Sequence, residues 1–306
     1  MNGRVSGREG WIRRLEQVDR RVIFVLMGLA IILPLYTGWS LQQTPTKPVQ
    51  DFHAALETLP PGTKIFIADD WDPGSKAELE TAAVAVLTHC FRRGLRVIDA
   101  TQWGTGAIIV NDTLERVARS MGKTYGEDYV YLGFKEGREV VMQAAAENLR
   151  GVYPRDYRGT PVAKLPILEG IGSLRDVALL VSVSAGYPGT KEWVQQVQRR
   201  FNVPMIAICN GVSEPEYQPY YNSGQLRGLV GGLANIAVYE RLIGAEGFGT
   251  RAMVAQSSGH YMLAALILAG NLFFALSRRR TLLAVAIAVA GGGFFLWTIV
   301  RILAGP

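Results

Sequence analysis

VALLVSVSAGYPGTKEWVQQVQRRFNVPMIAICN, residues 177–210, decides the fold. It opens on an apolar run, 177–185, bounded by a Gly- and Pro-bearing turn. A helix begins at Thr190 and ends at Asn202, and a second apolar run follows at 203–210. Strand, helix, strand in one stretch, with strands that are nearly continuous in apolar residues, reads as a parallel sheet covered on both faces.

The same alternation extends upstream. KIFIADD (64–70), LRVIDAT (95–101) and YVYLGF (129–134) read as strands. Helices are expected from Ser75 to Arg93, where Ser75 and Glu78 have the spacing of a capping box, from about Gly106 to Met121, and from Arg138 to Leu149. Residues 151–176 carry Pro154, Pro161 and Pro166 and read as a long irregular excursion, a candidate functional loop. The region from Glu214 to Leu242 reads as mostly helical. The fold class is therefore α/β: a doubly wound, mostly parallel sheet of the flavodoxin or Rossmann type, spanning 63–245.

Outside this core the composition changes, and the mildly positive mean hydropathy averages two populations. VIFVLMGLAIILPLYTGW (22–39) carries no charge and, as a helix, is about 27 Å long, just enough to cross a bilayer. A cleaved signal peptide is the rival reading, but TGWSLQQTPTK offers no small-x-small cleavage site. Two further spans are expected at 261–277 and 281–300, separated only by Arg278, Arg279 and Arg280, which mark a water-facing turn. Three transmembrane helices thus join the α/β domain. The remaining segments are a basic tail (1–21), a Pro- and Thr-bearing tether (40–62) with room for a short helix, a connector (246–260) and a tail (301–306).

The net charge of +6 is concentrated at the membrane flanks. Six arginines lie within residues 1–21 and three at 278–280, a topology signal rather than the aromatic-interleaved basic face of a nucleic-acid binder. Both clusters belong in the cytoplasm. One crossing separates each from the domain, which places the domain outside the cytoplasm on a multi-pass inner-membrane protein. The expected partners are the lipid bilayer and a protein partner or second copy of the chain, with no nucleic acid. Asn271, the strongly polar residue within a span, reads as interhelical glue or a subunit contact. No ionisable residue lies inside the spans, which disfavours a channel or pump.

Ligands of open α/β sheets bind beyond the carboxyl ends of the strands. Those ends carry Asp69, Asp70 and Asp72, then Asp99 and Thr101, then Ser182, Ser184 and Gly186, then Asn210. The cluster DDWD suits a divalent cation or an acid–base pair, and equally an acidic turn that caps the following helix through its dipole. SVSAG (182–186) resembles a nucleophile elbow with Ser in place of the first Gly, yet of three histidines only His260 follows it, at the membrane edge. There is no GxGxxG after the first strand, no GxxxxGK[ST] and no HExxH, so no cofactor or metal is assigned. Cys90 and Cys209 fit no zinc spacing. They read as buried apolar side chains, or as one bridge if the domain is exported and they meet in space. Gly224, Gly228 and Gly232 recur every fourth residue and read as a stripe on one helical face, for packing within the domain or against a subunit.

SAGYPGTKEWVQQV (184–197), YYNSGQLRGLVGGLANIAVYE (220–240) and AQSSGHYMLAALILAGN (255–271) are similar to stretches of an uncharacterised family of prokaryotic membrane-anchored proteins. The resemblance implies no activity. It supports treating the domain and the following helices as one unit. Together these readings give a membrane-anchored binding or scaffold component of an envelope assembly. The alternative is a membrane-tethered hydrolase or metal-dependent phosphoryl-processing enzyme using Asp69, Asp70 and Asp72.

Overall fold

The computed structural model of the chain describes residues 19–37 and 44–277. Contacts divide the chain into two units, Pro45–Thr250 and a second made of the two terminal segments.

The first unit is a six-stranded sheet. Its strands are β1 (Lys64–Asp70), β2 (Arg96–Thr101), β3 (Tyr129–Phe134), β4 (Leu179–Ser184), β5 (Met205–Cys209) and β6 (Leu229–Gly231). Every pairing is parallel, and the strand order is β3-β2-β1-β4-β5-β6. This is the order of doubly wound Rossmann-type sheets, with the reversal between β1 and β4. The central strands are buried along nearly their whole length, as both faces are covered.

Side chains alternate across a strand, so each face has its own core. One face presents Ile65, Ile67, Val97, Val181 and Ile208 to α2 (Lys47–Glu57), α3 (Lys76–Arg92), α4 (Ala107–Ser120) and α9 (Gly232–Leu242). The other presents Phe66, Ala68, Ile98, Leu180 and Ala207 to α5 (Arg138–Val152) and to the helix after β4. That helix runs as α6 (Thr190–Trp193), a π-helical stretch Val194–Gln198, and α7 (Arg199–Phe201). α8 (Glu214–Asn222) packs Tyr217 on the same side.

Four expectations need correction. The tether contains a core element. Val49, Phe52 and Leu56 of α2 are fully buried, each worth about 1.5–3 kcal/mol, and Pro48 pre-sets the first turn. The excursion at 151–176 is not an open loop. It forms three short 3₁₀ turns whose Val162, Ile167, Leu168, Ile171 and Leu174 bury against the second core. Ser75 and Glu78 do not form a capping box; Ser75 bonds with Asp72, and the Glu78 carboxylate accepts from Gly211 N–H at 3.1 Å. Finally, the region 214–242 is mostly helical as expected, but β6 interrupts it, so Gly224, Gly228 and Gly232 share no helical face. Gly224 turns the chain at φ +77°, and Gly232 opens α9 at φ +74°. Gly228 admits α2: a Cβ there would lie 2.3 Å from Phe52 Cα.

Both borders of the sheet are closed to further pairing. β6 offers only three residues. On the outer side of β3 the carbonyls of Tyr129 and Tyr131 accept from Gly126 N–H (2.8 Å) and Tyr157 N–H (3.0 Å).

In the second unit, α1 (Arg20–Thr37) falls on the first expected span. α10 (Phe248–Ser277) is a single 30-residue helix, so the expected connector at 246–260 is largely helical; nothing in GTRAMVAQSSGH breaks it. Among the described residues one helix, Phe248–Leu272, is long and apolar enough to cross a membrane. The expected Arg turn and the span at 281–300 lie outside the described residues. The Asn271 amide donates to Ile267 O of its own helix at 2.9 Å.

Candidate functional site

The carboxyl edge of the sheet holds the expected residues, but alternation sorts them. Asp69 faces the first core together with Asp99, and Asp70 faces the second. All three are fully buried. Asp72 lies beyond the strand and accepts from Ser75 N–H at 3.1 Å, which makes it a turn fastener. The DDWD carboxylates therefore do not converge on one cation.

Asp69 accepts from Trp71 Nε1 (3.1 Å) and lies on the same face of the sheet as Asp99. No N–H or O–H donor reaches either Asp99 oxygen, and the Tyr131 hydroxyl on β3 donates instead to Ala107 O. Burial, reinforced by the neighbouring Asp69, pushes Asp99 well above the usual carboxylate range. Burial raises Asp69 to about 6 and Asp70 to about 7. Asp70 is held by Gln102 N–H (2.6 Å) and Trp193 Nε1 (2.7 Å), so it pins the loop after β2 to the helix after β4.

The serines are equally internal. Ser182 and Ser184 each bond Thr190 Oγ1 at 2.9 Å, and Thr190 N–H donates to Ser184 Oγ. Ser184 is fully buried and no histidine approaches it, which leaves no nucleophile elbow. Gly186 lies in the turn after β4. Asn210 ties that turn to the one after β5, donating to Ala185 O (2.9 Å) and accepting from Ser213 N–H (2.9 Å). Cys90 and Cys209 are free, buried, and on opposite faces of the sheet.

These buried groups shape an open cleft of about 460 Å³ at the same edge. It is displaced from the β1/β4 reversal toward β3, because Trp71 fills the space beyond β1; a Cβ at Gly106 would strike Trp71 O. Gln102, Trp103, Gly104 and Thr105 form one wall, Phe134, Glu136, Gly137 and Arg138 a second, and Tyr187 and Pro188 a third, so the second wall carries one acidic and one basic side chain. Trp103 Nε1 donates to Pro188 O at 2.7 Å and fixes the first wall to the third. Phe134 and Tyr187 are exposed. The Arg138 guanidinium lies 5.3 Å from the Tyr187 ring centre. Arg138 also adopts φ +48°, a sparsely populated backbone conformation for a non-glycine residue. Such strain is often retained at binding sites.

The cleft opens at the strand ends where a site was expected, and none of Asp69, Asp70, Asp72, Asp99, Ser182, Ser184, Gly186 or Asn210 lines it. Trp103, Phe134, Arg138 and Tyr187 carry no motif. Their signal is positional: an aromatic residue at or within three residues of the ends of β2, β3 and β4.

No family model matches the chain, and no curated protein sequence does. Among solved structures, trehalose-6-phosphate synthase OtsA aligns with a TM-score of 0.31 and 12% identity, over 79% of this chain and 48% of that one. A second, trehalose-6-phosphate from E. coli bound with UDP-2-fluoro glucose, aligns with a TM-score of 0.31 and 13% identity, over 73% and 44%. The chain thus spans less than half the length of either. A likeness this distant carries no chemistry from those proteins to this site.

Proposed function

We propose that the chain is a membrane-anchored binding component of an envelope assembly, whose α/β domain takes a small ring-bearing anion in the cleft beyond β2, β3 and β4. The lining carries this reading. Aromatic faces at Trp103, Phe134 and Tyr187 suit a planar ring, and the fork of Arg138 suits a carboxylate or phosphate. The amino end of α5, where Arg138 sits, adds favourable backbone N–H groups. The buried carboxyls behind the cleft hold its walls and do not supply a catalytic pair. The apolar helix Phe248–Leu272 supports anchoring, and the arginine clusters support an extracytoplasmic domain.

Titration of the full-length chain in detergent with phenyl phosphate, followed by tryptophan fluorescence, tests the cleft. Saturable quenching is expected, weakened at least about tenfold in Arg138→Ala, or roughly 1.4 kcal/mol. A response that fails to saturate, or that Arg138→Ala leaves intact, sinks the reading.

A further inference from the structure

At the opposite edge of the sheet, three residues that the cleft does not use come together. His53 and Glu57 stand one turn apart on α2, and His89 lies in the last turn of α3. We infer that His53, Glu57 and His89 form a binding site for a divalent cation of the zinc class. Each offers a ligand atom, and all three atoms lie within 4.8 Å of one another. Ligands at zinc distances in a tetrahedral site stand about 3.4 Å apart, so a modest rotation of the two accessible side chains closes the set.

Four further observations favour a cation over a plain hydrogen-bonded trio. Glu57 is the last residue of α2, and His89 is near the end of α3, so the negative poles of two helices meet here. The His89 ring is buried and oriented: Nδ1 lies 2.7 Å from Tyr239 Oη, and Nε2 lies 2.9 Å from Glu57 Oε2. An imidazole fixed through one nitrogen and facing a carboxylate with the other is the usual preparation of a metal ligand. Arg93 holds the second carboxylate oxygen, Oε1, at 3.3 Å and leaves Oε2 toward the histidines. The His53 ring stacks on His89 with centroids 5.0 Å apart, bringing a second imidazole where a bare Glu–His pair needs none. On binding, neutral His89 takes the Nδ1–H tautomer and donates to Tyr239 Oη, which frees the Nε2 lone pair for the cation with no net proton gained or lost by the ring. Three protein ligands leave the fourth position open to water.

The tag-free full-length chain in detergent, stripped with EDTA, is titrated with Zn²⁺ against a chromogenic chelator and with Co²⁺ by visible absorption. One Zn²⁺ per chain and Co²⁺ bands of a tetrahedral site are expected. His53→Ala and Glu57→Gln each weaken Zn²⁺ binding at least about 100-fold, and Tyr239→Phe about tenfold. Both variant positions have solvent access, and equal melting temperatures in EDTA verify their folding. Zn²⁺ that binds the wild type no more tightly than the His53→Ala/Glu57→Gln double variant overturns the site.

Discussion

Asp99 is fully buried with neither carboxyl oxygen hydrogen-bonded, and burial beside Asp69 favours its protonated form. An acid that holds its proton more tightly folded than unfolded favours the folded state at low pH. For this cluster the contribution is complete below the unfolded value of 3.8. It declines as pH rises through about 6 for Asp69 and about 7 for Asp70. Asp99→Asn removes one titration from the buried cluster. The variant should therefore melt about 3 °C or more above wild type at pH 8 and show a smaller gain, or none, at pH 5. An equal shift at both pH values would refute the raised protonation of Asp99. The period-two alternation that separates Asp69 from Asp70 was legible in KIFIADD. The depth of the strand end was not, because it depends on Trp71 and Trp193 arriving from two other segments.

At the scale of elements, the contact between α2 and β6 joins the first helix of the domain to its last strand. Phe52 N and Cα would lie 2.4 and 2.3 Å from a Cβ at Gly228, and neither is a flexible side-chain end. Gly228→Ala should cost roughly 3 kcal/mol, at the upper end of overpacking, because the helix must move. Gly224→Ala meets open space and only an unfavourable φ, so about 1–2 kcal/mol is expected. Chemical denaturation of the two variants compares them, and equal losses would refute the packing role of Gly228. β1 to β5 were legible because a strand buried on both faces reads as an apolar run. β6 was hidden: LVG lies in a glycine-rich apolar stretch, and the fourfold glycine spacing matched a helix by coincidence. A short helix in the tether was legible, but that its Val49, Phe52 and Leu56 bury in the core was not, because their partners lie far along the chain.

For the whole molecule, the expected orientation rests on nine arginines flanking apolar segments, read from sequence. Val212 is 90% exposed, whereas Cys90 and Cys209 are inaccessible, so Val212→Cys gives a clean reporter. A membrane-impermeant maleimide should label it on intact spheroplasts before lysis. Labelling that requires lysis would place the domain in the cytoplasm and withdraw the envelope reading. The arrangement of the sheet's margins bears on any partner. A visiting strand finds only three residues to zip onto at one margin and already-occupied carbonyls at the other. Among the described residues strand addition thus finds little free backbone at either margin, which favours partners that grip side chains.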